Sequence, residues 1–150
     1  MPNRNKILKI VGLAILLMAI AAGIIAWYIL TDTYTNTDDR KEKYTVEANA
    51  FIKEYQQNDT IANKKYAETI IVVNGIVSEI EPVDSTVNIK MIDTTTDAYI
   101  NFTFQETSLN EAKALKEGQK VSIKGSCSGG AYSEILETHF ITFKRCALNK

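Results

Sequence analysis

Residues that bind metals or perform acid–base catalysis are scarce in this chain, which has one histidine and two cysteines among 150 residues. A structural zinc ion takes four nitrogen or sulfur ligands and a catalytic zinc ion takes three, but the two cysteines lie far apart in sequence and have only His139 to join them. A catalytic histidine needs a nucleophile or a carboxylate beside it. Glu137 shares a predicted strand face with His139 and can at most pair with it. We therefore predict no metal site, no cofactor and no enzymatic activity.

Charged residues are also absent from Ile10 to Leu30, an uninterrupted stretch of 21 residues. As an α-helix with about 1.5 Å of rise per residue, this stretch spans roughly 31 Å, which matches the hydrocarbon core of a bilayer. Trp27 and Tyr28 lie near its outer end, where amphipathic rings prefer the membrane interface. The sequence therefore predicts a transmembrane anchor over residues 7–30.

The charges that flank this segment predict its orientation. Arg4, Lys6 and Lys9 precede it, whereas residues 31–39 contain three aspartates and neither lysine nor arginine. Because positively charged flanks stay in the cytoplasm, we predict that residues 1–6 are cytoplasmic and that the chain crosses the inner membrane once. The part beyond the anchor is then periplasmic or otherwise extracytoplasmic.

A cleaved signal peptide is the alternative interpretation of the same segment. Ala19 and Ala21 form a small-x-small pattern of the kind that signal peptidase accepts. Cleavage there leaves a mature N-terminus that still carries the apolar residues 24–30 with nothing to cover them, so a retained anchor is favoured. No cysteine lies near the segment, which excludes a lipid-modified N-terminus.

The exported residues 31–150 have an acidic balance, since they hold all 18 acidic residues and 14 of the 17 basic ones, for a formal charge of −4. Nucleic-acid binding depends on lysines and arginines that neutralise phosphates. The charge balance therefore argues against a nucleic-acid partner. About 120 residues are enough for one hydrophobic core and too few for two, so we predict a single exported domain.

Two helices are predicted at the start of that domain, residues 45–150, after a polar segment over residues 31–44 that is typical of a flexible tether. Thr45 is the predicted N-cap of the first helix, and Asn58 or Asp59 caps the second. Apolar residues at helical spacing predict the inward faces, which are Ala48, Phe51, Ile52 and Tyr55 in the first helix and Ile61, Ala62 and Tyr66 in the second. We interpret these faces as core, and a partner-binding stripe is the alternative.

From Thr69 the apolar period changes from 3.6 to 2, which indicates β-strands. Three strands come first, then a helix with Ser108 and Glu111 as a capping box, and two further strands joined by a turn at Gly129–Gly130. The predicted inward residues are Ile71, Val73, Gly75 and Val77, then Val87, Ile89 and Met91, then Ile100, Phe102 and Phe104, then Val121, Ile123, Gly125 and Cys127, and finally Ile135, Leu136, Phe140, Ile141 and Phe143.

The element order β-β-β-α-β-β predicts an OB-fold, a five-stranded Greek-key barrel of the mainly β class, preceded here by short helices. The segments Val73–Val77 (VNGIV), Gly118–Gly125 (GQKVSIKG) and Asn58–Tyr66 resemble the tRNA_anti-like family of OB-fold proteins, a likeness that extends over about residues 46–146. Members of that family are small exported or membrane-anchored bacterial proteins, common in the Bacteroidetes. The resemblance implies a relationship to anticodon-binding domains and no established activity.

Ligands of OB-folds lie across the outer face of strands two and three. In this chain the predicted ligand-binding residues on that face and at its rim are Asn88, Lys90, Tyr99, Asn101, Thr103 and Tyr132. A single-stranded nucleic-acid site needs stacked aromatic residues in a basic groove, whereas this face has one lysine with Glu79, Glu81 and Asp84 nearby. An ordinary solvated face and a site for a peptide, a glycan or another envelope protein are the other interpretations.

Cys127 and Cys146 form a candidate disulfide, because the cysteine count is even and the predicted compartment is oxidising. With the turn at Gly129–Gly130, a straight hairpin separates them by tens of ångströms, against the roughly 6 Å between Cα atoms that a bridge requires. Only a strongly bent last strand brings them together, so the bridged and the free states both stay open.

These inferences predict a membrane-anchored envelope protein whose exported OB-fold domain is a non-enzymatic binding or scaffolding module. Binding of a single-stranded nucleic acid or an oligosaccharide by the OB-fold face is the alternative. The expected partners are the membrane, crossed by a single span, and another envelope protein, a peptide or a glycan.

Overall fold

Two separate units make up the chain in the computed structural model, which describes residues 4–31 and 37–150. The first unit contains helix α1, Arg4–Thr31, with 28 residues. Its stretch Leu8–Trp27 has a mean hydropathy of 2.6 and is long and apolar enough to cross a membrane, although a signal sequence has the same properties. The large apolar side chains described in this stretch are exposed.

The second unit contains seven strands and three short helices. In chain order they are β1 Tyr44–Glu47, α2 Ala48–Gln57, α3 Asp59–Tyr66, β2 Ile70–Ile76, β3 Glu79–Val83, β4 Thr86–Ile92, β5 Tyr99–Phe104, α4 Leu109–Lys113, β6 Lys120–Ser133 and β7 Thr138–Leu148. Single 3₁₀ turns precede β1 (Thr37–Asp39) and α4 (Glu106–Ser108).

The seven strands form one sheet in the order β1-β2-β6-β7-β5-β4-β3. Two residues join β2 to β3, and both connect to neighbouring strands: Val77 N donates to Gln119 O beside β6, and Ser78 N donates to Lys90 O in β4. The strands β2 and β3 are therefore two halves of one bent strand, which closes the sheet into a barrel. The predicted OB-type barrel is confirmed, with β1 added in parallel alongside β2.

Most of the inward residues predicted from strand alternation form the core. Those with at most 2 % exposure are Ile71, Val73, Val77, Val87, Ile89, Met91, Ile100, Phe102, Phe104, Ile123, Cys127, Ile141 and Phe143. The predicted face of the first helix is also buried, and the Phe51 ring packs against Tyr66 and Phe143 with centroids 4.9 and 5.9 Å apart. Periodicity located these positions because each strand buries one face against a single core.

Several helix predictions were wrong. Thr45 lies within β1, so Glu47 precedes α2 and makes no side-chain cap. In α3, Asn58 Oδ1 accepts from Ile61 N at 2.9 Å as predicted, but the Ile61 side chain is 63 % exposed. Ala62 and Tyr66, four residues apart, already fill the narrow buried stripe of this two-turn helix. Ser108 makes no capping bond to α4.

The turn between the last two strands is also not where the glycines predict it. Strand β6 continues through Gly129–Gly130 to Ser133, and the chain reverses over residues 134–137, where Glu137 has a φ of 52°. Ile135 and Leu136 lie in that reversal and are 94 % and 56 % exposed, so they are not core residues. The glycines serve close packing instead: the Asn63 side-chain amide donates to Gly130 O at 2.7 Å and accepts from Gly130 N at 2.9 Å.

This shift of the turn changes the expectation for the cysteines. Cys127 lies opposite Phe143 in the β6–β7 register, and Cys146 Sγ lies beside Gly125, so both cysteines face the core on neighbouring strands. The sequence-based separation of tens of ångströms was wrong because it placed the turn too early. Both thiols are free and buried, and burial raises the pKa of each above its usual value. The disulfide itself stays a prediction.

The segment predicted as a tether is partly folded onto the barrel. Thr37 is 2 % exposed, and its amide donates to Gln105 Oε1 at 3.5 Å. Lys43 N donates to Ile70 O, and Glu42 forms a 3.4 Å ion pair with the buried Lys124 ammonium. The prediction of a flexible tether is therefore wrong for residues 37–44, whereas residues 32–36 lie outside the described part of the chain.

Candidate binding face

Five of the six predicted ligand-binding residues lie together on the outer surface of strands β4, β5 and β7, which we call the β4–β5–β7 face. Asn88 pairs with Thr103, and Lys90 pairs with Asn101, while Tyr99 stands opposite Ile92. The inward neighbours of these residues are core, so alternation turns all five outward, where they are half-buried. Thr103 Oγ1 donates to Asn88 Oδ1 at 2.9 Å, which fixes one end of the face.

The sixth predicted residue, Tyr132, does not join this group. It pairs in register with His139 near the tip of the β6–β7 hairpin, and the two rings meet edge to face with centroids 5.1 Å apart. His139 alternates with Phe140, so it points to the same side of β7 as the core residue Ile141. Tyr132 therefore lies on the opposite side of the hairpin from the β4–β5–β7 face.

An aromatic residue that the sequence predicted as core completes the face. Phe140 is half-buried and pairs with Tyr99 across the parallel β5–β7 ladder. The two rings stack with centroids 6.3 Å apart and planes 26° from parallel. Neighbouring strand residues cannot both point inward. Because Ile141 and Phe143 face the core, Phe140 must face outward, and this could have been predicted from the sequence.

The single lysine of the face is held by two carboxylates from β3. Lys90 Nζ donates to Glu81 Oε1 at 2.6 Å and to Glu79 Oε2 at 3.3 Å, and it lies 5.6 Å from the Tyr99 ring centroid. The hydrogen bond to Glu81 is the main cause that raises the pKa of Lys90 above its usual value. Lys90 is therefore charged at neutral pH, and its two carboxylates leave this cluster with a net charge of −1.

At the centre of the face lies an acceptor without a donor. Asn101 Oδ1 is the one buried side-chain nitrogen or oxygen in the described residues that has no hydrogen-bond partner. Buried polar atoms are normally paired, and an unpaired one costs about 1–3 kcal/mol. Its neighbours in register are Lys90 on β4 and Thr142 on β7.

A cleft of about 420 Å³ is lined mainly by the β1–α2 junction and the end of β2. It reaches the β4–β5–β7 face at Ile92, the register partner of Tyr99. Within the described parts of the chain, no group of three histidine, cysteine, aspartate or glutamate side chains is placed to hold a metal ion. The face therefore presents an aromatic pair, a buried amide acceptor and a lysine that two carboxylates hold.

The described geometry defines the class of the second unit as an OB-type barrel with a half-buried polar and aromatic face. The family profile agrees with this class: the tRNA_anti-like profile matches residues 1–138. The chain belongs to the tRNA_anti-like family, as its sequence motifs indicated. A search of curated proteins gives no match.

The chain is similar to several solved structures at low sequence identity, and the first described here shares its fold. A lipoprotein from Klebsiella pneumoniae, provisionally assigned as nucleic acid-binding, is 18 % identical with a TM-score of 0.53 over 70 % of this chain and 91 % of its own. An OBody bound to hen egg-white lysozyme is 15 % identical with a TM-score of 0.44 over 56 % of this chain and 84 % of its own. Asparaginyl-tRNA synthetase from Pyrococcus horikoshii is 13 % identical with a TM-score of 0.39 over 57 % of this chain and 20 % of its own.

Proposed function

We propose that this chain is a membrane-anchored, non-enzymatic binding protein of the cell envelope, which holds a ligand on the β4–β5–β7 face of its exported barrel. One observation carries the proposal: the stacked Tyr99–Phe140 pair lies half-buried on the outer face of the sheet, where OB-folds hold their ligands. Aromatic rings are normally buried in a core or an interface. A half-exposed aromatic pair in this place is suited to contact with a ligand.

Anchoring rests on α1. Its 20-residue apolar stretch has the length of a bilayer core, and the basic residues Arg4, Lys6 and Lys9 precede it. This pattern favours an N-terminus in the cytoplasm and a barrel on the far side of the inner membrane. A scaffolding role in the envelope uses the same arrangement, because a single span keeps the chain at the membrane.

The anchor predicts that the full-length protein stays in the pellet when cell membranes are washed with alkaline carbonate. Replacing both Leu17 and Ile20 with arginine, near the middle of the span, costs about 2.5–3.5 kcal/mol per residue in membrane insertion and is expected to shift the protein to the soluble fraction. Phenylalanine at the same two positions is the matched control and keeps it in the pellet. A soluble wild-type chain, or a mass that shows cleavage after Ala21, contradicts retained anchoring.

The binding face is tested with the full chain in phosphatidylcholine nanodiscs and three probe classes: neutral hexasaccharides, a 12-nucleotide single-stranded DNA and a decalysine peptide. A probe at 100 times its Kd stabilises the folded barrel by about 2.7 kcal/mol, which is expected to raise Tm by several degrees for at least one class. The Tyr99→Ala variant removes half of the aromatic pair and is expected to lose that shift. If no class raises Tm, or if Tyr99→Ala responds like the wild type, the face is not a binding site.

A further inference from the structure

We infer that the turn of the β6–β7 hairpin, residues 134–137, is a membrane-contact site whose apolar side chains enter a lipid surface. We call these residues the hairpin tip. The inference depends on the proposed anchoring of the chain and is independent of the β4–β5–β7 face, so it adds a second site to the proposed function. Four features of the hairpin tip support it: its exposed apolar pair, the rigid base below this pair, its small size and its acidic rim.

The apolar side chains of the hairpin tip are highly accessible to water. Ile135 is 94 % exposed, more than any other large apolar side chain in the described residues, those of α1 included, and Leu136 beside it is also exposed. Single exposed apolar residues are common on protein surfaces, whereas adjacent ones form a patch that often marks an interaction site. Tyr132, also exposed, lies on β6 just before the tip with its ring against His139. Tyrosine rings favour the interface between membrane and water, so this order of side chains suits a membrane contact.

A rigid base holds the apolar pair in its exposed position. Ser133 and Thr138 form the last pair of the β6–β7 ladder. Thr138 is buried, and its Oγ1 donates to Thr96 O at 3.2 Å in the loop before β5. On the other side, Leu136 N donates to Ser133 Oγ at 3.2 Å. The reversal is therefore fixed at both ends, and the exposure of Ile135 is a property of the folded hairpin.

The small size of the hairpin tip favours a lipid surface over a protein partner. A specific protein interface uses about 20–30 residues on each side, whereas the tip is a convex turn of four residues. A protein would need a pocket of matching shape and further contacts, but lipid hydrocarbon adapts to any apolar protrusion. The proposed anchor keeps the chain at the bilayer, which raises the effective concentration of lipid around the tip. A contact made by two side chains is then sufficient.

The acidic rim of the hairpin tip selects the kind of lipid. Glu134 and Glu137 flank the apolar pair and are exposed, and the exposed Asp97 follows Thr96, the residue that Thr138 contacts. None of these three carboxylates belongs to an ion pair with another of the described residues. Anionic headgroups repel such a rim, whereas zwitterionic headgroups carry no net charge. The tip therefore fits a zwitterionic lipid surface, with its carboxylates in water among the headgroups and its apolar pair deeper.

Nuclear magnetic resonance of the full-length chain in phosphatidylcholine nanodiscs tests the inference, with a nitroxide label on the headgroup of a small fraction of the lipid. The unpaired electron of the label broadens only the amide signals near it. We expect the amides of residues 134–137 to lose at least half of their intensity, relative to the same discs after ascorbate has reduced the label. Glu117 is the control position, because it is exposed and lies before β6, at the other end of this 14-residue strand. Its signal is expected to stay unchanged.

Replacing both Ile135 and Leu136 with serine is expected to remove the contact, so that the amides of Glu134 and Glu137 lose no more intensity than the control amide. Both replaced side chains are exposed, so Tm is expected to change little. Ile61→Ser, at an exposed isoleucine on α3, is the matched control variant and leaves the loss at the tip as in the wild type. Phosphatidylglycerol in a third of the lipid is expected to reduce the loss, and glutamine at both Glu134 and Glu137 to restore it.

Several results would overturn the inference. If the chain stays in the discs but the tip loses no more intensity than Glu117, or if the serine variant behaves like the wild type, the tip is not a membrane contact and the proposed anchoring stands. Tip signals that weaken as more chains share an unlabelled disc would show contact with a second copy of the chain instead. An equal loss with phosphatidylglycerol would contradict the preference for zwitterionic lipid. A chain that leaves the discs contradicts the anchoring and the inference together.

Discussion

Phe143→Ala is expected to lower the free energy of unfolding of the barrel by about 3–5 kcal/mol, the usual cost of removing a buried aromatic ring. The Phe143 side chain is fully buried and lies at the centre of the core, with its ring centroid 5.0 Å from Phe102 and 5.9 Å from Phe51. Truncation leaves a cavity between the sheet and α2. Hydrogen exchange of the slowest amides in β6 and β7 measures the loss, because these amides exchange only when the barrel unfolds.

Phe140→Ala is the matched control, on the same strand and three residues earlier. Its ring lies on the β4–β5–β7 face and is half-buried against Tyr99, so truncation is expected to cost about 1 kcal/mol and to abolish ligand binding. The two variants thus compare the stability cost of truncating a side chain on the core side of β7 with the cost on its outer side. Equal destabilisation by both substitutions would mean that Phe140 belongs to the core, and the proposed binding face would be lost.

Strand alternation located most of the barrel and most of the candidate face from the sequence. The core residues of β4 and β5 alternate strictly, and the same parity turns Asn88, Lys90, Tyr99, Asn101 and Thr103 outward. Alternation works there because each strand has one buried and one half-buried side. The prediction that both Phe140 and Ile141 are core residues of β7 was wrong, because adjacent strand residues point to opposite sides.

The misplaced last turn has a different physical origin. Glycine serves two purposes in strands, tight turns and close approach of another element, and the residue alone does not distinguish them. In this protein the approaching group is the side-chain amide of Asn63, 67 residues away in sequence, which forms hydrogen bonds with both the backbone N–H and the carbonyl of Gly130. A contact so distant along the chain leaves no local pattern, so the extent of β6 could not be predicted. The same applies to residues 37–43, which cover part of the barrel without any apolar period.

Gly130→Val is expected to lower the free energy of unfolding by about 3 kcal/mol or more, because overpacking alone typically costs 1–3 kcal/mol and the site has little freedom to relax. A Cβ at this position would lie 2.8 Å from Phe140 O, 2.8 Å from Tyr55 Cδ1 and 2.9 Å from Ile141 Cγ1. The first of these atoms is backbone of β7, so the strand itself has to shift. Such a shift also disturbs the two hydrogen bonds between Gly130 and the Asn63 side chain, each worth about 0.5–1.5 kcal/mol.

Hydrogen exchange of the β6 and β7 amides in this variant measures that cost, with Ser128→Val as the matched control. Ser128 lies two residues earlier in β6 and is exposed, so valine there is expected to change stability by no more than about 0.5 kcal/mol. Displacement of Phe140 by the new side chain also separates its ring from Tyr99, so ligand affinity should fall along with stability. Wild-type stability in Gly130→Val would mean that Gly130 has open space around it, which contradicts the close packing of Tyr55 and Asn63 against this position.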